Sequence, residues 1–343
     1  MTPTTADEVL DLLEGSTTST AVGAAMELGL FWLLEREPLD LHDVASALGV
    51  PPIRCKYWLD LLCNTGLIEA GPRGYGLTAT ARTSILEVYS RDSWALLAEE
   101  ARERFRGLPD LPSHLREPGS AWEALGLTPP MYLDQMAEDP ARARRFTRML
   151  YELHLPLAAE LAAFLDLTGA KRLMDLGGGS GVLSMSLARR YPKMTFTVVD
   201  IPNVCVAGRE IAAENSLEAR ITYHPADFSS DNLPTGFDVA LECDVNVYSE
   251  ALFSKVRDSL DPGGRFLIVD QFAPAEDVAP PPRLHWAFAG SLIRPEFTFP
   301  TAARVRDQLE KAGFELLPDR PLPSAPGPCK RMTEGMVVIE ARK

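Results

Sequence analysis

Short apolar runs separated by helical patterns fill the second half of the chain. From Lys171 onward, the spacing of apolar residues changes to short strands that alternate with helices. The expected strands cover residues 172–176, 195–200, 221–224, 237–242, 264–270 and 333–341. Such alternation predicts a parallel sheet with helices on both faces, and the last strand is expected to run antiparallel.

The first 90 residues show helical periodicity followed by two short strand patterns. Helices are expected at 6–13, 19–35, 41–50 and 51–62, and strands at 66–70 and 75–78. A helix-turn-helix followed by a hairpin is a winged helix, and such units usually bind DNA. Residues 52–63, where a recognition helix would lie, carry only Arg54 and Lys56 against Asp60. The apolar faces of this unit are therefore expected to pack against a second subunit.

Residues 91–165 have a purely helical pattern. Helices are expected at 94–104 and 141–164, with a kink at Pro156 because proline cannot donate a helical hydrogen bond. The sequence thus predicts three regions: a winged-helix domain over 1–90, a helical linker with pocket helices over 91–165, and an α/β domain over 166–343.

A glycine-rich turn follows the first strand of the α/β domain. Asp175 precedes Gly177, Gly179 and Gly181, and the next strand ends at Asp200, 19 residues beyond the last glycine. Glycines let the backbone approach a ligand closely, and the second acid stands where a ribose diol would lie. A carboxylate before the glycines would repel a diphosphate but suits an ammonium group. The pattern therefore favours S-adenosylmethionine (SAM) over a dinucleotide; the alternative is an ordinary α/β turn with glycines for packing.

Composition narrows the function classes. The net charge of -14 gives no electrostatic footprint for nucleic acid, and no apolar run approaches the roughly 18 residues of a membrane span. The first 30 residues carry five acids and no Lys or Arg, which argues against a secretory signal. Five scattered cysteines predict reduced thiols in a cytoplasmic protein: Cys55, Cys63, Cys205, Cys243 and Cys329.

The chain as a whole resembles the SAM-dependent small-molecule O-methyltransferases of the plant caffeate and bacterial polyketide type. The matching residues are Trp94, Asp139–Pro140, Phe146, Asp175–Gly181, Asp200–Pro202, Asp227–Phe228, Pro262–Arg265, Thr301 and Ala312–Phe314. The resemblance implies an α/β fold with a class I, Rossmann-like methyltransferase sheet and an N-terminal winged-helix dimerisation domain. It also implies a homodimer formed through that domain.

The resemblance further implies how the cofactor is held. The three glycines of the turn would cradle the aminoacyl end, with Asp175 oriented toward its amino group. Asp200 would accept hydrogen bonds from both ribose hydroxyls, and Ile201 would pack on the adenine. Asp227 would accept from the exocyclic amine of adenine, and Phe228 would cover the ring.

The usual catalytic histidine of this family is absent. The family places it in a His-Asp-Trp segment after the fourth strand, where it deprotonates the acceptor. Here residues 241–250 contain no histidine, and the counterpart is Val245 or Asn246. The family's supporting acid after the fifth strand corresponds here to Asp270, which has a shorter side chain. Its second acid, before Thr301, corresponds to Phe299. Three explanations stay open: O-transfer by proximity alone, transfer to carbon, or a non-methylating reaction that uses the sulfonium charge.

Other residues are candidates for the missing chemistry. Asp244, Asn246 and His285 are the candidate catalytic residues, with Glu242 as a second possible base. The resemblance places the acceptor pocket along Phe146, Leu150, His154, Trp286 and Arg294. A metal held by His154, His285 and Asp244 is an open alternative, but no metal-site spacing is present and none is predicted. The prediction is a SAM-dependent methyltransferase for a small, aromatic or enolisable acceptor, to oxygen or carbon; the alternatives are a non-methylating SAM-dependent catalyst and a winged-helix regulator.

Overall fold

The computed structural model describes residues 2–324 and 330–343, which form two compact units. The first unit ends at Pro109 and the second begins at Asp110. The sequence analysis places the first boundary at residue 90, so the helix that follows residue 90 belongs to the N-terminal unit in the structure.

The first unit is helical apart from one hairpin. Its helices are α1 (Ala6–Leu28), α2 (Leu30–Leu33), α3 (Leu41–Leu48), α4 (Pro52–Asn64), α5 (Ala79–Ala81) and α6 (Arg91–Arg104). A π-helical turn covers Arg82–Leu86 and a 3-10 turn covers Phe105–Gly107. Strands β1 (Ile68–Gly71) and β2 (Gly74–Leu77) pair antiparallel, so the predicted helix-turn-helix and hairpin are both present.

Helix α1 corrects the expectation of two helices at 6–13 and 19–35. It runs unbroken from Ala6 to Leu28 and ends at Gly29, which has a φ of 79°. The polar segment that suggested a break stays helical because its hydroxyl groups bond the helix backbone; Thr20 Oγ1, for example, donates to the carbonyl of Ser16 at 2.7 Å. A capping box between Thr5 and Glu8 begins the helix.

Helix α6 lies against α1, which explains the later domain boundary. Arg102 donates through Nε and Nη2 to both carboxylate oxygens of Glu27, at 3.1 and 2.9 Å. A methyl group added to Gly23 of α1 would lie 3.7 Å from the side chain of Ala98, so the two helices pack closely at this point. The core of the unit includes Phe31 and Leu59, both fully buried.

The second unit begins with helices and continues as an α/β sheet. Its helices are α7 (Leu111–His114), α8 (Ala121–Ala124), α9 (Tyr132–Glu138), α10 (Pro140–Phe164), α11 (Val182–Arg190), α12 (Pro202–Glu214), α13 (Glu250–Ser259), α14 (Leu284–Ile293) and α15 (Ala302–Lys311). Its strands are β3 (Arg172–Leu176), β4 (Thr195–Asp200), β5 (Ile221–Pro225), β6 (Phe237–Cys243), β7 (Leu260–Asp270), β8 (Glu315–Leu316), β9 (Arg320–Pro321) and β10 (Val337–Arg342). Two 3-10 turns cover Pro281–Arg283 and Lys330–Met332. Helix α10 continues through Pro156 without interruption.

The sheet has the order β5-β4-β3-β6-β7-β10-β8, with β9 also paired to β10. Strands β3 to β7 pair parallel, and β10 pairs antiparallel with β7. The predicted doubly wound sheet with a late antiparallel strand is therefore confirmed. Four of the six strands depart from the predicted bounds. Strands β5 and β6 each end one residue later, at Pro225 and Cys243, and β7 begins earlier, at Leu260. Strand β10 covers Val337–Arg342, because residues 333–335 form a turn.

Both faces of the sheet are covered by apolar layers. Leu173 and Leu241 face one layer, with α10, α11 and α12. Met174 and Ala240 face the other, with α13 and α15. Period-2 alternation in strands that are covered on both faces explains why their sequences are almost continuously apolar. The carboxyl ends of β3, β4, β5, β6 and β7 lie along one edge, where such sheets bind ligands.

No helix within the described residues is long and apolar enough to cross a membrane. Four cysteines in the described residues carry free thiols, namely Cys55, Cys63, Cys205 and Cys243. Cys329 lies outside the described residues. The reduced state of the thiols in the cell and a cytoplasmic location stay predictions.

Candidate active site

The glycine turn joins β3 to α11 and leaves space for a ligand. Gly177, Gly179 and Gly181 all have positive φ, at 66°, 56° and 77°. A Cβ on Gly177 would stand 2.7 Å from Val245 Cγ2 and 3.5 Å from Phe228 Cε1. Glycine suits position 177 because the turn packs closely against Val245 there, whereas a Cβ on Gly179 would meet no atom within 4 Å, so the open space beside the turn lies at Gly179. The residues present therefore fit the aminoacyl end of SAM.

Asp200 holds the glycine turn at the end of β4. Its carboxylate accepts hydrogen bonds from the backbone N–H groups of Gly179, at 2.9 Å, and Ile201, at 2.8 Å. Burial raises the pKa of Asp200 to about 6, although these hydrogen bonds oppose the shift. The carboxylate thus stands beside the cradle, at the position predicted for ribose binding.

Asp175 lies beneath the turn. It is 1% exposed and accepts a hydrogen bond of 2.6 Å from Ser184 Oγ. A Cβ on Gly178 would stand 2.5 Å from the carboxyl carbon of Asp175, so the carboxyl packs directly against the turn. Burial raises the pKa of Asp175 to about 6. A direct contact between Asp175 and the amino group of the cofactor stays a prediction.

Asp227 and Phe228 follow β5 on the other side of the cradle. Asp227 accepts from the backbone N–H of Ser229 at 2.9 Å and from Ser230 Oγ at 3.0 Å. The hydrogen bond from the side chain of Ser229 is the main cause that lowers the pKa of Asp227. Phe228 and Val245 approach Gly177 from the loops after β5 and β6; contact of Phe228 with the adenine stays a prediction.

Helices α9 and α10 cover the end of β4. Ile201 packs in a small apolar cluster with Met136, Ala143 and Val204, and Phe146 packs against that cluster. The ring of Tyr132 lies 5.6 Å from that of Phe146. Desolvation and the charge of Asp200 raise the pKa of Tyr132 above its usual range, so Tyr132 lies near the cofactor side of the site. The sequence analysis did not identify Tyr132, because an aromatic residue at the start of a helix is common in any core.

The loop after β6 is where the resemblance places the family's catalytic base, and it carries Asp244 and Asn246. Asp244 and Asn246 have φ values of 56° and 61°, which non-glycine residues seldom adopt. The carboxylate of Asp244 accepts from Arg283 Nη2 at 2.6 Å and contacts His154 Nε2 at 3.2 Å. Asn246 Nδ2 is 3.4 Å from Asp244 Oδ1. The structure thus brings Asp244, Asn246 and His154 together, as candidate catalytic and acceptor-binding residues.

The hydrogen bonds of His154 define its role. Nδ1 lies 2.8 Å from the carbonyl of Leu150 and must donate to it, because a carbonyl oxygen only accepts. A hydrogen bond from Nε2 to Asp244 then requires a second ring proton, as in an imidazolium–carboxylate pair. Burial alone would raise the pKa of Asp244, but the hydrogen bond of His154 and the charge of Arg283 outweigh it and lower that pKa. Asp244 is therefore a weak base.

Two further acids lie under this edge of the sheet. Glu242 is fully buried, and within the described residues neither of its carboxyl oxygens accepts a hydrogen bond. Burial, with the charge of Asp270, raises the pKa of Glu242 well above its usual range. Burial, followed by the charge of Asp244, raises the pKa of Asp270 to about 7, and the hydroxyl of Tyr248 donates to Asp270. Both acids hold protons more tightly than free carboxyl groups do.

Helix α14 corresponds to the predicted roof of the acceptor pocket. The ring of Trp286 meets those of Phe297 and Phe299 edge to face, at 5.1 and 5.3 Å between centroids. Arg294 is exposed and stands 5.0 Å over the ring of Phe297. His285 is exposed as well, and it forms no hydrogen bond to another described residue. The structure therefore does not join His285 to Asp244, and its catalytic role stays a prediction.

Arg283 is the site residue that the sequence analysis missed. Its Nε donates to Gln271 Oε1, its Nη2 donates to Asp244, and its guanidinium lies 5.8 Å from the centroid of Trp286. An arginine after three prolines carries no motif, so only the folded chain could reveal this role. Within residues 2–324 and 330–343, no group of three or more His, Cys, Asp or Glu side chains is arranged to hold a metal ion. Of the three ligands in the metal alternative, only His154 and Asp244 are in contact.

The fold and the glycine turn define a class I methyltransferase that uses SAM. The chain belongs to the O-methyltransferase family: residues 110–315 match the family's O-methyltransferase domain, and residues 10–86 match its dimerisation domain. The first match begins at Asp110, where the second compact unit also begins. The predicted resemblance is therefore confirmed, and the protein is an enzyme of the SAM-dependent methyltransferase class.

Similar proteins act on several kinds of atom. A 3-hydroxy-5-methyl-1-naphthoate 3-O-methyltransferase of Streptomyces sahachiroi is 30% identical over 270 residues, 75% of each chain. The N,N-dimethyltransferase OxyT of Streptomyces rimosus is 27% identical over 317 residues, 91% of each chain. The structure of a mitomycin 7-O-methyltransferase superposes with a TM-score of 0.82 at 22% identity, over 98% of this chain and 97% of the other. The names of these relatives and of an L-tyrosine C(3)-methyltransferase of Streptomyces lavendulae thus include transfer to oxygen, nitrogen and carbon.

Proposed function

We propose that this protein transfers a methyl group from SAM to a small aromatic or enolisable intermediate, at oxygen or carbon, without a histidine base at the family position. The observation that carries the proposal is the contact between Gly177 of the cofactor turn and Val245 of the loop after β6. A donor held on the turn would face an acceptor held at that loop, next to Asp244.

The residues at that loop support transfer by positioning. Asn246 is a neutral amide, and Asp244 is occupied by His154 and Arg283. Neither has the pKa near the working pH that suits a general base. When bound, SAM supplies an electrophilic methyl group on a sulfonium. Holding the two reactants in line supplies roughly 7–11 kcal/mol of the barrier reduction, so an acceptor that ionises readily needs no strong base.

The named relatives agree with an aromatic acceptor. One acts on a hydroxynaphthoate, and another is named as an L-tyrosine C(3)-methyltransferase. The aromatic side chains of Trp286, Phe297 and Phe299 provide a surface on which such a ring would pack. Leu150 and Phe146 are proposed to line the same pocket from α10, with His154 at its inner end.

A turnover assay tests this proposal. The protein is incubated with SAM and panels of phenols, naphthols and enolisable keto acids, and product mass and S-adenosylhomocysteine (SAH) are both measured. We expect a mass increase of one methyl group with one SAH formed per product molecule. Conversion of an acceptor with no SAH formed would replace the proposal with a non-methylating reaction, and labelling of the methyl carbon would separate O-methyl from C-methyl products.

We also propose that the protein forms a homodimer through its N-terminal unit. Four apolar residues at the start of α1 are exposed in the single chain, namely Val9, Leu10, Leu12 and Leu13, at 47 to 72%. An exposed apolar cluster of this kind favours burial against another subunit, and residues 10–86 match a dimerisation domain. Light scattering on a Leu10→Glu/Leu13→Glu variant should report a monomer where the unmodified protein is a dimer; a variant that stays dimeric would place the interface elsewhere.

A further inference from the structure

Arg283 keeps unused hydrogen-bond donors at the acceptor edge of the sheet. It has five N–H groups, and its bonds to Gln271 and Asp244 engage Nε and Nη2. In the described part of the chain, Nη1 has no hydrogen-bond partner. The side chain is only 17% exposed, so its unused donors have limited access to solvent.

The local charge balance also favours an anion. Asp244 is bound by Arg283 and, when its ring is protonated, by His154, which leaves one net positive charge in the group of three. Burial, with the charge of Asp270, raises the pKa of Glu242 well above the usual range, which disfavours a negative charge there. Burial also raises the pKa of Asp270 to about 7. The pKa of Asp244 is lowered, and its carboxylate is already paired with the cationic Arg283.

An aromatic surface adjoins these donors. The guanidinium carbon of Arg283 lies 5.8 Å from the ring of Trp286, which leads to Phe297 and Phe299. Trp286 and Phe288 of α14 are 38% and 44% exposed, so apolar area is available for contact. A positive charge at the end of an aromatic surface suits a flat ring that carries an anionic oxygen.

We propose that Arg283 binds the acceptor as an aromatic or enolic oxyanion through Nη1, and that this binding takes the place of proton removal by a histidine. The inference rests on the proposed function and names the ionisation state in which the acceptor binds. The acceptor loses its proton to solvent before transfer. In the transfer itself the new bond to the methyl carbon forms as the C–S bond breaks, the electron pair stays on sulfur, and no proton moves.

Arg283 acts in this proposal through charge at short range. An opposite charge within about 4–6 Å lowers the pKa of an acid by about 1 to 3 units. A phenol bound at Nη1 would therefore ionise at a pH at least about one unit below its value in water. If Arg283 served only to fasten α14 to the strand ends, a bound phenol would ionise as it does in solution.

The test uses a coloured phenol, so it does not depend on knowing the natural acceptor. The protein is saturated with SAH and titrated with 4-nitro-1-naphthol, whose ionised form absorbs at longer wavelength than its neutral form. The variants are Arg283→Met, which removes the charge, and Arg283→Lys, which keeps it. Arg265→Met is the matched control, because Arg265 is also a partly buried arginine paired with a carboxylate, that of Glu340. Arg265 lies in the middle of β7, five residues from Leu260 and away from the acceptor edge.

We expect the bound phenol to ionise at least about one pH unit below the free phenol in the unmodified protein and in Arg265→Met. In Arg283→Met the shift should vanish, and Arg283→Lys should keep part of it. SAH affinity, measured by calorimetry, should stay within about threefold in all variants, which confirms that each is folded.

Two results would overturn the inference: a shift that survives in Arg283→Met, or no binding of the phenol by the SAH-saturated protein. Neither depends on turnover, so they are separable from failure of the proposed function. If an acceptor from the panel is methylated and its pH–rate profile is the same in Arg283→Met, the proposed function holds and the role of Arg283 is wrong. If no acceptor is methylated but the phenol shift depends on Arg283, then Arg283 binds an oxyanion as proposed and the proposed methyl transfer is wrong.

Discussion

The two halves of the ligand-binding edge are built in different ways. The cofactor half, at the ends of β3 and β4, is a short turn held by hydrogen bonds between Asp200 and the nearby backbone. The acceptor half, at the ends of β6 and β7, is a network of side chains from α10, two loops and the turn before α14. Asp200 lies 21 positions from Gly179, whose backbone it holds, whereas His154 and Arg283 lie 90 and 39 positions from Asp244.

This difference explains why one half is readable from the sequence and the other is not. The cofactor is the same for every acceptor, so backbone geometry and a few acids suffice to hold it. Acceptors differ, and the residues that bind them come from separate elements that any fold of this type can vary. The following four changes test the contrast, from the largest expected effect to the smallest.

Asp244→Ala should cause the largest loss of stability. It removes the shared anion and leaves Arg283 and His154 facing each other at a site where the side chains are only 11 to 17% exposed. Breaking a buried ion pair costs about 3–5 kcal/mol, and residual solvent access places this case near the lower end. Urea unfolding at pH 7 measures the loss, and SAH affinity should stay within about threefold.

The control and the pH dependence sharpen this test. Asp307→Ala breaks a pair with Lys311 in which both side chains are 57% exposed, and it should change stability little because solvent screens such a pair. Because the folded pKa of Asp244 is lowered, its stabilising contribution is present above its ordinary value of 3.8 and fades as the pH falls through the folded value. An Asp244→Ala penalty that is equal at pH 7 and pH 3 would contradict the ion network.

Glu242→Gln should make stability less dependent on pH. The folded pKa of Glu242 is raised, so the native state keeps a proton that the unfolded chain releases above the ordinary glutamate pKa of 4.5. Wild-type stability therefore falls as the pH rises from about 4.5 toward the folded pKa, by up to about 1.4 kcal/mol per pH unit. The glutamine variant lacks this loss and should gain relative to wild type between pH 5 and 8 in urea titrations.

The exposed Glu310→Gln is the control for Glu242→Gln, because it changes the same groups on the surface of α15. It should follow the wild-type pH dependence within error. A Glu242→Gln curve that runs parallel to the wild type would mean that Glu242 ionises normally and that the acceptor edge carries a second buried negative charge.

Asp200→Ala should abolish tight cofactor binding, and it should also lower stability because the N–H groups of Gly179 and Ile201 lose their acceptor. It removes the predicted acceptor of both ribose hydroxyls, and each charge-assisted hydrogen bond contributes about 1.5–3 kcal/mol. SAH affinity in calorimetry should fall at least about 100-fold. Asp244→Ala, at the other half of the same edge, serves as the comparison. If the two variants lost SAH affinity equally, the division of the edge into two halves would be wrong.

Gly177→Ala should have the smallest effect of the four, because it tests the single contact between the halves. The new Cβ carries the cost of a φ of 66° and stands 2.7 Å from Val245 Cγ2. Together these should destabilise the fold by about 2 kcal/mol. Gly49→Ala is matched for φ, at 65°, with no atom within 4 Å of its Cβ, and should cost about 1 kcal/mol.

Adding Val245→Ala to Gly177→Ala should recover the part of the loss that comes from the clash and leave the backbone part. Thermal unfolding of the three variants gives the two contributions separately. If Val245→Ala failed to improve Gly177→Ala, the turn and the loop would not be in contact at this point.

Much of the fold follows from local patterns. The strands at 172–176 and 195–200 match the structure at both ends, because apolar runs bounded by charged or glycine residues leave little choice. The break expected in α1 was wrong, since serine and threonine hydroxyls can bond the helix backbone as readily as they can interrupt it. The boundary after Pro109 depends on α6 packing against α1, and periodicity alone carries no information on such packing.

In the acceptor half, too, the sequence predicted some features of the site and missed others. The sequence located Asp244, Asn246 and His154 as candidates but not the hydrogen bonds that join Asp244 to the other two. It gave no reason to select Arg283 or Gln271. It selected His285, which the structure leaves exposed on the first turn of α14. Helical periodicity predicts that a face exists, whereas the direction of one side chain depends on what packs around it.

By itself, the sequence determined the doubly wound sheet, the cofactor turn and the family. These depend on residues close together in the chain, where sterics and hydrogen bonding restrict the backbone to few choices. Only the tertiary structure decided that Arg283 and His154 contact Asp244, that the pKa of Asp244 is lowered, and that burial raises the pKa of Glu242. Those properties depend on burial and on charges brought together from distant segments, and neither exists before the chain has folded.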